Sequence, residues 1–591
     1  MDEEQKRLAE ELLFSDNLQV SFAKKLYFGL YDASAIFPYC KLPEEQKPPL
    51  EALLQQLKAY MEAHIDPVAI DKTAHIPESV IQGLAEMGIF GLTVPKLYGG
   101  LGMSQFAYCK VLELLAGHCA STALIVNVHQ SIGLKAVLLF GTEEQRRQWL
   151  PPLAKGTFLA AFSLTEANAG SDASNVETTA VYDPLKNVYR LNGKKQWTTN
   201  GSIAKILTVM AKTEVDTPKG KQQKITAFLV TPDMPGFQVT AAALEKVGLR
   251  GTKTANLAFN DMEVPAQNIL GPTGGGLRVC LTCLDYGRTA FGASCTGVAK
   301  FLVQRALEHA SSRIQFKHPL AALGLIKQKI ALMSALTYAM DATTYMTAGL
   351  IDAKNADIVL EASILKVFNS EALWTILYDT MQIYGGRSFF TEAPFERIMR
   401  DARLNMIGEG SNELLRVFIG VVGMRDVGLH LQATAKAFSN PIANFSLLGS
   451  FARQAMGRLK LPQVPVQSPL IADEAKRLAR LVRRFGFGVV SALARYKEEI
   501  VEQQHILNRI ANVVIAIYTT SAVLSKLDSD LVANGQPKER LENDTATAKF
   551  YCQHAMGTAE HILKHLFLKE DAQIEALSDR LITSCHPRSC P

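Results

Sequence analysis

A single glutamate sits between two glycines inside an otherwise helical stretch of the sequence, Ile407-Gly-Glu-Gly-Ser-Asn-Glu413. Glycine is a poor residue for a helix interior, so this segment predicts a helix break at Glu409. Glycines also let the backbone approach a bound molecule closely, because they carry no Cβ. A carboxylate in such a place suits an active site, because the flanking backbone can come close to a substrate. A loop carboxylate with no chemical role would have the same local sequence.

A second candidate segment is Phe162-Ser-Leu-Thr-Glu-Ala-Asn-Ala-Gly-Ser-Asp172, in which an apolar run leads into a small, hydroxyl-rich turn. The backbone N–H groups and hydroxyls of such a turn can surround an anion such as a pyrophosphate, because no bulky side chain blocks them. A simple β-turn is the alternative interpretation of this segment taken alone.

A third segment, Lys195-Gln-Trp-Thr-Thr-Asn-Gly201, places an aromatic ring before two hydroxyls at a predicted hairpin turn. The indole of Trp197 is suited to stacking on a flat ring, while Thr199 offers a hydrogen bond to a ring nitrogen. The segment is therefore a candidate for holding a cofactor ring.

Common signatures of other chemistries are missing from the sequence, which has no GxxxxGK[ST], no GxSxG and no HExxH. We expect no metal site.

The formal net charge of +5, from 62 Lys and Arg against 57 Asp and Glu, is too mild for a nucleic-acid-binding surface. The nine cysteines lie scattered through apolar stretches, which favours a reducing compartment. Cys280 and Cys283 are expected to be neighbours on one helix.

The elements that must position these residues follow from the spacing of apolar side chains along the 591-residue chain. We predict a mainly α fold with an inserted β-domain. Its parts are a helical N-terminal domain (1–157), a β-domain (158–272), a domain of long helices (273–432), a proline-rich linker (433–470) and a C-terminal helical domain (471–591). The apolar run 513–524 is too short to span a bilayer, so we expect no transmembrane helix.

Taken in order, the three candidate segments resemble the acyl-CoA dehydrogenase family. Further matching motifs are Leu249 to Asn256, Asp285-Tyr-Gly-Arg288, Arg313-Ile-Gln-Phe316, Gln382-Ile-Tyr-Gly-Gly386 and Arg400-Asp-Ala-Arg403. The resemblance covers about residues 20–430. From Ile471 onward the chain resembles the very-long-chain subgroup, which contains the very-long-chain enzyme and a ninth family member that helps to assemble respiratory complex I.

The resemblance implies a fold with a helical N-domain, a β-barrel middle domain, a four-helix-bundle domain and an extra C-terminal helical domain. It also implies FAD-dependent oxidation of a long-chain or very-long-chain fatty acyl-CoA to its trans-2-enoyl-CoA. In that reaction Glu409 is the base that removes the α proton, and the β hydride passes to flavin N5.

Individual positions match the family's binding residues. The implied FAD contacts are Phe162, Leu164, Thr165, Gly170, Ser171, Trp197, Thr198, Thr199, Ser411 and Glu413, joined by Arg313, Gln315, Phe316, Gln382, Ile383, Gly385 and Gly386. Among these, Arg313 and residues 382–386 match positions that reach FAD from a neighbouring subunit, which implies at least a homodimer. The implied acyl-CoA contacts are Ser171, Asp285, Arg288 and Gly410.

The sequence departs from the family pattern at Ala167, Lys317, Arg387, Ser388 and Gly408. None of these changes removes a reacting group, but Arg387, Ser388 and Gly408 are expected near flavin or substrate. We therefore expect a weakened affinity for FAD.

Two functions stay open at this point. One is an active dehydrogenase, with an electron-transferring flavoprotein as the acceptor. The other is an assembly factor for complex I that keeps the fold with reduced catalysis. Both imply a mitochondrial location in a eukaryote, at the matrix side of the inner membrane, although no targeting peptide is visible. Residues 436–461 combine apolar and basic side chains, which is typical of a segment lying on an anionic membrane surface or of a packed linker.

Overall fold

The computed structural model describes residues 21–218, 220–353, 357–438, 460–533 and 537–584, without the side chains of 434–438. Most of the predicted linker (433–470) and of the predicted membrane-binding segment (436–461) lies outside the described residues. The same is true of the two C-terminal cysteines.

Short helices form the N-terminal part of the chain, and side chains cap several of them. Thr142 and Gln145, for example, form a capping box at the start of the last one. A π-helical segment, Val128–Leu134, joins two of them. These helices are α1 (Phe22–Tyr27), α2 (Lys47–His64), α3 (Pro67–Thr73), α4 (Glu78–Glu86), α5 (Gln105–His118), α6 (Ala120–Asn127), α7 (Lys135–Phe140) and α8 (Glu143–Ala154).

The middle of the chain forms one eight-stranded mixed sheet, with the pairing order β6-β7-β3-β2-β4-β5-β8 and β1 parallel to β4. Its central strand β4 begins with six buried residues, as expected for a strand covered on both faces. The strands are β1 (Ala160–Ser163), β2 (Thr179–Asp183), β3 (Val188–Thr199), β4 (Ile206–Thr217), β5 (Gly220–Val230), β6 (Phe237–Ala241), β7 (Thr254–Pro265) and β8 (Ile269–Leu270).

The hairpin turn predicted after Thr199 is wrong. Strand β3 pairs with β7 and β2, whereas β4 pairs with β5, so the Asn200-Gly201 turn does not join paired strands. The backbone N–H of Asn200 donates instead to the carbonyl of Lys253, 2.8 Å away. The turn is therefore held by a more distant part of the chain, which local sequence does not reveal.

Long helices follow the sheet and pack against one another as a bundle. The first of them carries Cys280 and Cys283, both buried and free, as expected. A two-stranded hairpin, β9 (Ile314–Gln315) and β10 (His318–Pro319), separates the first two helices. The helices are α9 (Gly276–Ser312), α10 (Gly324–Asp352), α11 (Val359–Tyr384), α12 (Phe395–Arg403) and α13 (Asn412–Phe438).

The C-terminal helices form a further unit that shares its core with the start of the chain. The hydroxyl of Tyr27 in α1 donates to the carbonyl of Ile419 at 2.7 Å, and its ring packs 5.1 Å from that of Phe485. Helix α1 is thus anchored beside the last domain. The C-terminal helices are α14 (Ala472–Tyr496), α15 (Gln504–Val532), α16 (Lys538–Lys564) and α17 (Glu570–Ser584).

Two helical stretches, 120–140 and 504–532, are long and apolar enough to cross a membrane by length and composition alone. The apolar run 513–524 is thus part of a longer helix than the sequence predicted. About 72% and 83% of the most apolar windows are buried inside the protein, as in core helices of a compact fold. The predicted fold class is confirmed: a mainly helical chain carries an inserted sheet and an additional C-terminal helical unit.

Candidate active site

Glu409 lies in the short loop before α13, in a backbone conformation that few side chains adopt. Its φ is +57° and that of Gly410 is +98°. A left-handed conformation costs a non-glycine residue roughly 1–2 kcal/mol, so surrounding contacts must hold it. Two cations do so from neighbouring helices. Arg288 Nε donates to the carbonyl of Glu409 at 3.3 Å, and Lys366 Nζ donates to the carbonyl of Gly410 at 2.6 Å.

The carboxylate of Glu409 lies against a glycine of α9. A Cβ added at Gly287 would be 2.8 Å from Glu409 Oε2, so any larger residue there would displace the carboxylate from its present position. Oε2 is buried and has no hydrogen-bond partner among the described residues. Burial raises the pKa of Glu409 to about 7, against the opposing charges of Arg288 and Lys366. An unpartnered carboxylate that titrates near neutral pH is suited to abstract a proton.

Two of the predicted substrate residues stand behind this loop. Arg288 Nη1 donates to Asp285 Oδ1 at 3.1 Å and to Ser363 Oγ at 3.3 Å, and all of these contacts are buried. Asp285, Arg288, Glu409 and Gly410 are therefore brought together. The fourth predicted substrate residue, Ser171, lies on an exposed turn of the sheet domain.

The turn after β1 is tied to β3 by a buried ion pair. Lys195 Nζ donates to Glu166 Oε1 at 2.6 Å and to the carbonyl of Leu164 at 3.0 Å, with both charged side chains almost fully buried. Thr165 accepts a backbone hydrogen bond from Gln196 at 2.9 Å. Two of the candidate segments are thus adjacent. The turn leaves Gly170 and Ser171 exposed, with open space around Gly170.

Trp197 is near the end of β3, where a register irregularity separates Lys195 from Thr198. Its side chain is 63% exposed, which is unusual for so large an aromatic residue. Thr199, two residues further along the strand, is half-buried. Thr198 is buried, and its hydroxyl shares a 2.8 Å hydrogen bond with Ser163 Oγ. Thr198 therefore fixes β3 to β1, while Trp197 presents an open aromatic face. Phe162, the predicted cofactor residue in β1, is largely buried. Leu164 and Thr165, which follow β1, are half-buried.

The remaining predicted cofactor residues lie in two groups. Ser411 and Glu413 adjoin Glu409 at the start of α13. Arg313, Gln315 and Phe316 are all exposed on the β9–β10 hairpin, and Phe316 is 83% exposed. Residues 382–386 lie at the C-terminal end of α11, beside the C-terminal end of α9. There the ring of Tyr384 in α11 stacks 4.1 Å from the ring of His309 in α9.

Within residues 382–386 the side chains differ in placement. Gln382 is exposed and donates to the hydroxyl of Tyr378, whereas Ile383 is buried in the core. Gly385 and Gly386 are exposed, and a Cβ added at either glycine would meet open space among the described residues. The nearby departure Ser388 is buried and donates to two carbonyls at the end of α11, so this residue closes the helix.

Sequence reasoning missed Lys366, which supports the loop of the base together with Arg288. Lys366 also donates to Asn412 Oδ1 at 2.9 Å, and burial lowers the pKa of this lysine to about 8. A signal was available, since Lys366 stands between Leu365 and Val367 in a strongly apolar stretch. A lysine in such a place is either a snorkelling residue or a buried partner of polar groups.

Four known domain families match successive parts of the chain. Residues 47–157, 161–262 and 274–423 match the families described as the N-terminal, middle and C-terminal domains of acyl-CoA dehydrogenase. Residues 469–584 match the family described as "ACAD9/ACADV, C-terminal domain".

Individual relatives agree with these matches. The chain is 36% identical over 537 residues to the very long-chain specific acyl-CoA dehydrogenase, mitochondrial, of Bos taurus, covering 89% of this chain and 82% of that protein. Its fold is similar to that of an acyl-CoA dehydrogenase complexed with FAD from Bacillus anthracis, with a TM-score of 0.77, 26% identity and 95% coverage of both chains. The butyryl-CoA dehydrogenase of Megasphaera elsdenii gives a TM-score of 0.61 at 32% identity, covering 65% of this chain and all of that one.

Proposed function

Because this chain belongs to the acyl-CoA dehydrogenase family, we propose that it oxidises a long-chain or very-long-chain fatty acyl-CoA to the trans-2-enoyl-CoA with FAD as its cofactor. The observation that carries this proposal is the buried Oε2 of Glu409, which has no hydrogen-bond partner within the described part of the chain. Burial raises the pKa of this carboxyl to about 7, which suits it to remove a proton α to a thioester.

The proposed proton transfer depends on where the loop places the carboxylate. Arg288 and Lys366 hold the backbone carbonyls on either side of the Glu409–Gly410 bond, and Gly287 leaves room for the carboxylate. The base is therefore fixed at its backbone while its oxygen is free to accept a proton. A substrate that excludes the remaining water would raise the pKa of Glu409 further.

The residues near β1 and β3 fit FAD. The exposed indole of Trp197 offers a face for stacking on the flavin ring, and the exposed turn at Gly170 and Ser171 offers backbone N–H groups and a hydroxyl to its phosphates. When bound, FAD supplies the acceptor for the β hydride. Thr199, Ser411 and Glu413 are the further contacts proposed from this chain.

The β9–β10 hairpin supports a homodimer. Arg313 follows Gly287 by 26 residues along the continuous helix α9, which places it about 39 Å from the base at 1.5 Å per residue. This hairpin and the nearby end of α11 are therefore too far away to contact the flavin beside Glu409. We propose that they reach the FAD of a second copy, with exposed Phe316 at the contact.

The proposed setting follows the relatives. The bovine relative is described as mitochondrial, which supports a mitochondrial location for this chain. We propose the matrix side of the inner membrane, with residues 436–461 on the lipid surface, and an electron-transferring flavoprotein as the acceptor. The alternative role in assembling respiratory complex I stays a prediction.

The test is an anaerobic titration of the purified, FAD-reconstituted protein with palmitoyl-CoA. We expect loss of the visible absorbance of the oxidised flavin and formation of trans-2-hexadecenoyl-CoA, identified by mass spectrometry. A protein that binds FAD and palmitoyl-CoA but leaves the flavin oxidised would overturn the proposal.

A further inference from the structure

A cavity of about 220 Å³ lies between α6, α9 and α12. Four of its lining residues are Phe291, Ser294, Val298 and Phe301 of α9. They follow Gly287 at intervals of four, three, four and three residues, so they lie on the same face of the helix as the glycine beneath the Glu409 carboxylate. The cavity therefore begins about one helical turn, roughly 6 Å, beyond the base along α9.

The opposite wall comes from α6, through Ala120, Leu124 and Asn127. Asn127 is only 1% exposed, and neither its amide nitrogen nor its amide oxygen has a hydrogen-bond partner among the described residues. A buried amide left unpaired is costly, and native proteins rarely keep one without a ligand or water to satisfy it. Asn127 thus offers one donor group and one acceptor group at an otherwise largely apolar wall.

Three other polar side chains around the cavity interact with neighbouring groups. The hydroxyl of Ser294 donates to a backbone carbonyl of its own helix at 3.1 Å, and the amide of Asn405 donates to a cysteine sulfur at 3.4 Å. Arg397 faces Asp401 at 3.9 Å, so the charges at this end of the cavity balance. Among the lining residues, Asn127 is the one whose buried polar side-chain atoms lack a hydrogen-bond partner within the described part of the chain.

We infer that this cavity takes the distal part of an acyl chain that carries a hydroxyl group, and that Asn127 recognises the hydroxyl. A hydroxyl accepts from the amide nitrogen and donates to the amide oxygen, so it satisfies both groups at once. A carboxylate would satisfy only the amide nitrogen and would leave the amide oxygen unpaired. This inference rests on the proposed function and narrows its substrate class to hydroxylated acyl-CoA thioesters.

The size of the cavity agrees with this assignment. An apolar cavity of about 150 Å³ is large enough to bind benzene, whereas whole small-molecule sites measure about 300–1,000 Å³. A volume of about 220 Å³ therefore accommodates several methylene groups and one hydroxyl, and not a separate cofactor.

The test compares palmitoyl-CoA with a series of hexadecanoyl-CoA thioesters that carry one hydroxyl at successive positions from carbon 6 to carbon 16. For the FAD-loaded protein, we expect at least one position to exceed palmitoyl-CoA in kcat/KM by about tenfold or more, because a site built for a hydroxyl discriminates against chains that lack it. The products, trans-2-hexadecenoyl-CoA with and without that hydroxyl, do not reduce the flavin and therefore report binding alone. We expect the hydroxylated product to have the lower Kd in calorimetry.

Two variants make the test specific. Asn127→Leu removes both amide groups with little change in volume, so it should abolish the hydroxyl preference in kcat/KM and in Kd and improve the use of palmitoyl-CoA. Ser294→Ala, on the same cavity but at an already satisfied hydroxyl, should keep the preference. Thermal unfolding checks that both variants fold.

The outcomes separate the two claims. If palmitoyl-CoA and every hydroxylated chain fail to reduce the bound flavin, the proposed function is wrong. If palmitoyl-CoA is oxidised but no hydroxyl position is preferred, water alone satisfies Asn127 and the inference is wrong. A hydroxyl preference that survives in Asn127→Leu would likewise overturn it.

Discussion

Gly287→Ala tests the position of the base with a single added methyl group. The new Cβ would lie 2.8 Å from Glu409 Oε2, whereas an ordinary contact begins at 3.4 Å. The carboxylate must therefore move by roughly 0.6 Å. A misplacement of about 1 Å can cost about 10²-fold in rate, so we expect roughly a tenfold slower reduction of the flavin.

The same substitution should not destabilise the fold. The atom displaced is the end of a flexible side chain, and alanine is a better helix former than glycine by about 1 kcal/mol. The assay is stopped-flow reduction of bound FAD by saturating palmitoyl-CoA, together with thermal unfolding.

Gly428→Ala is the matched control. It is also a glycine within a helix, but its new Cβ would meet only Leu493 Cδ2, at an ordinary 3.6 Å. We expect this variant to reduce its flavin at the wild-type rate. If Gly287→Ala also reduced its flavin at that rate with FAD and substrate bound, the carboxylate would not lie against Gly287 in the reacting complex.

Three further outcomes follow from the described contacts. The kcat/KM for flavin reduction should rise with pH through about 7 instead of through the ordinary glutamate value of 4.5, because Glu409 of the free protein must lose its proton before it can act as a base; a flat profile of kcat/KM between pH 6 and 8 would contradict this. Lys195→Met should cost about 3 kcal/mol of stability and weaken FAD binding, because it leaves the buried Glu166 carboxylate without its cation, while the neighbouring exposed Lys194→Met should have neither effect, as measured by urea unfolding and flavin fluorescence. Phe316→Asp should shift the protein from dimer toward monomer in analytical ultracentrifugation, whereas Leu185→Asp, at an equally exposed turn, should leave the dimer intact; a dimer retained in Phe316→Asp would remove the hairpin from the interface.

The order of helices and strands could be predicted because it depends on local periodicity. The runs 188–193, 206–212 and 225–230 all fall within observed strands. Pairing between strands depends on distant contacts instead, so the hairpin expected after Thr199 was wrong. The N–H of Asn200 bonds to a residue more than fifty positions away.

In the candidate site, too, local features could be predicted from the sequence and long-range contacts could not. The glycines flanking Glu409 indicated a helix break and a close approach, and both are present. The residues that hold this loop, Arg288 and Lys366, come from helices more than 40 positions away. Sequence spacing alone cannot show that Lys366 meets Gly410, nor that Gly287 lies beneath the carboxylate. Asn127 was missed for the same reason, since an asparagine within a helix reveals nothing about its partners until its surroundings are known.

The most direct test of the central claim is anaerobic flavin reduction by palmitoyl-CoA in Glu409→Gln. This change keeps the shape of the side chain but removes its ability to accept a proton. We expect FAD and palmitoyl-CoA to bind as in the wild type while the flavin stays oxidised, and we expect Glu245→Gln, at an exposed glutamate of the sheet domain, to reduce its flavin normally. Reduction of the flavin in Glu409→Gln at close to the wild-type rate would contradict the assignment of Glu409 as the base.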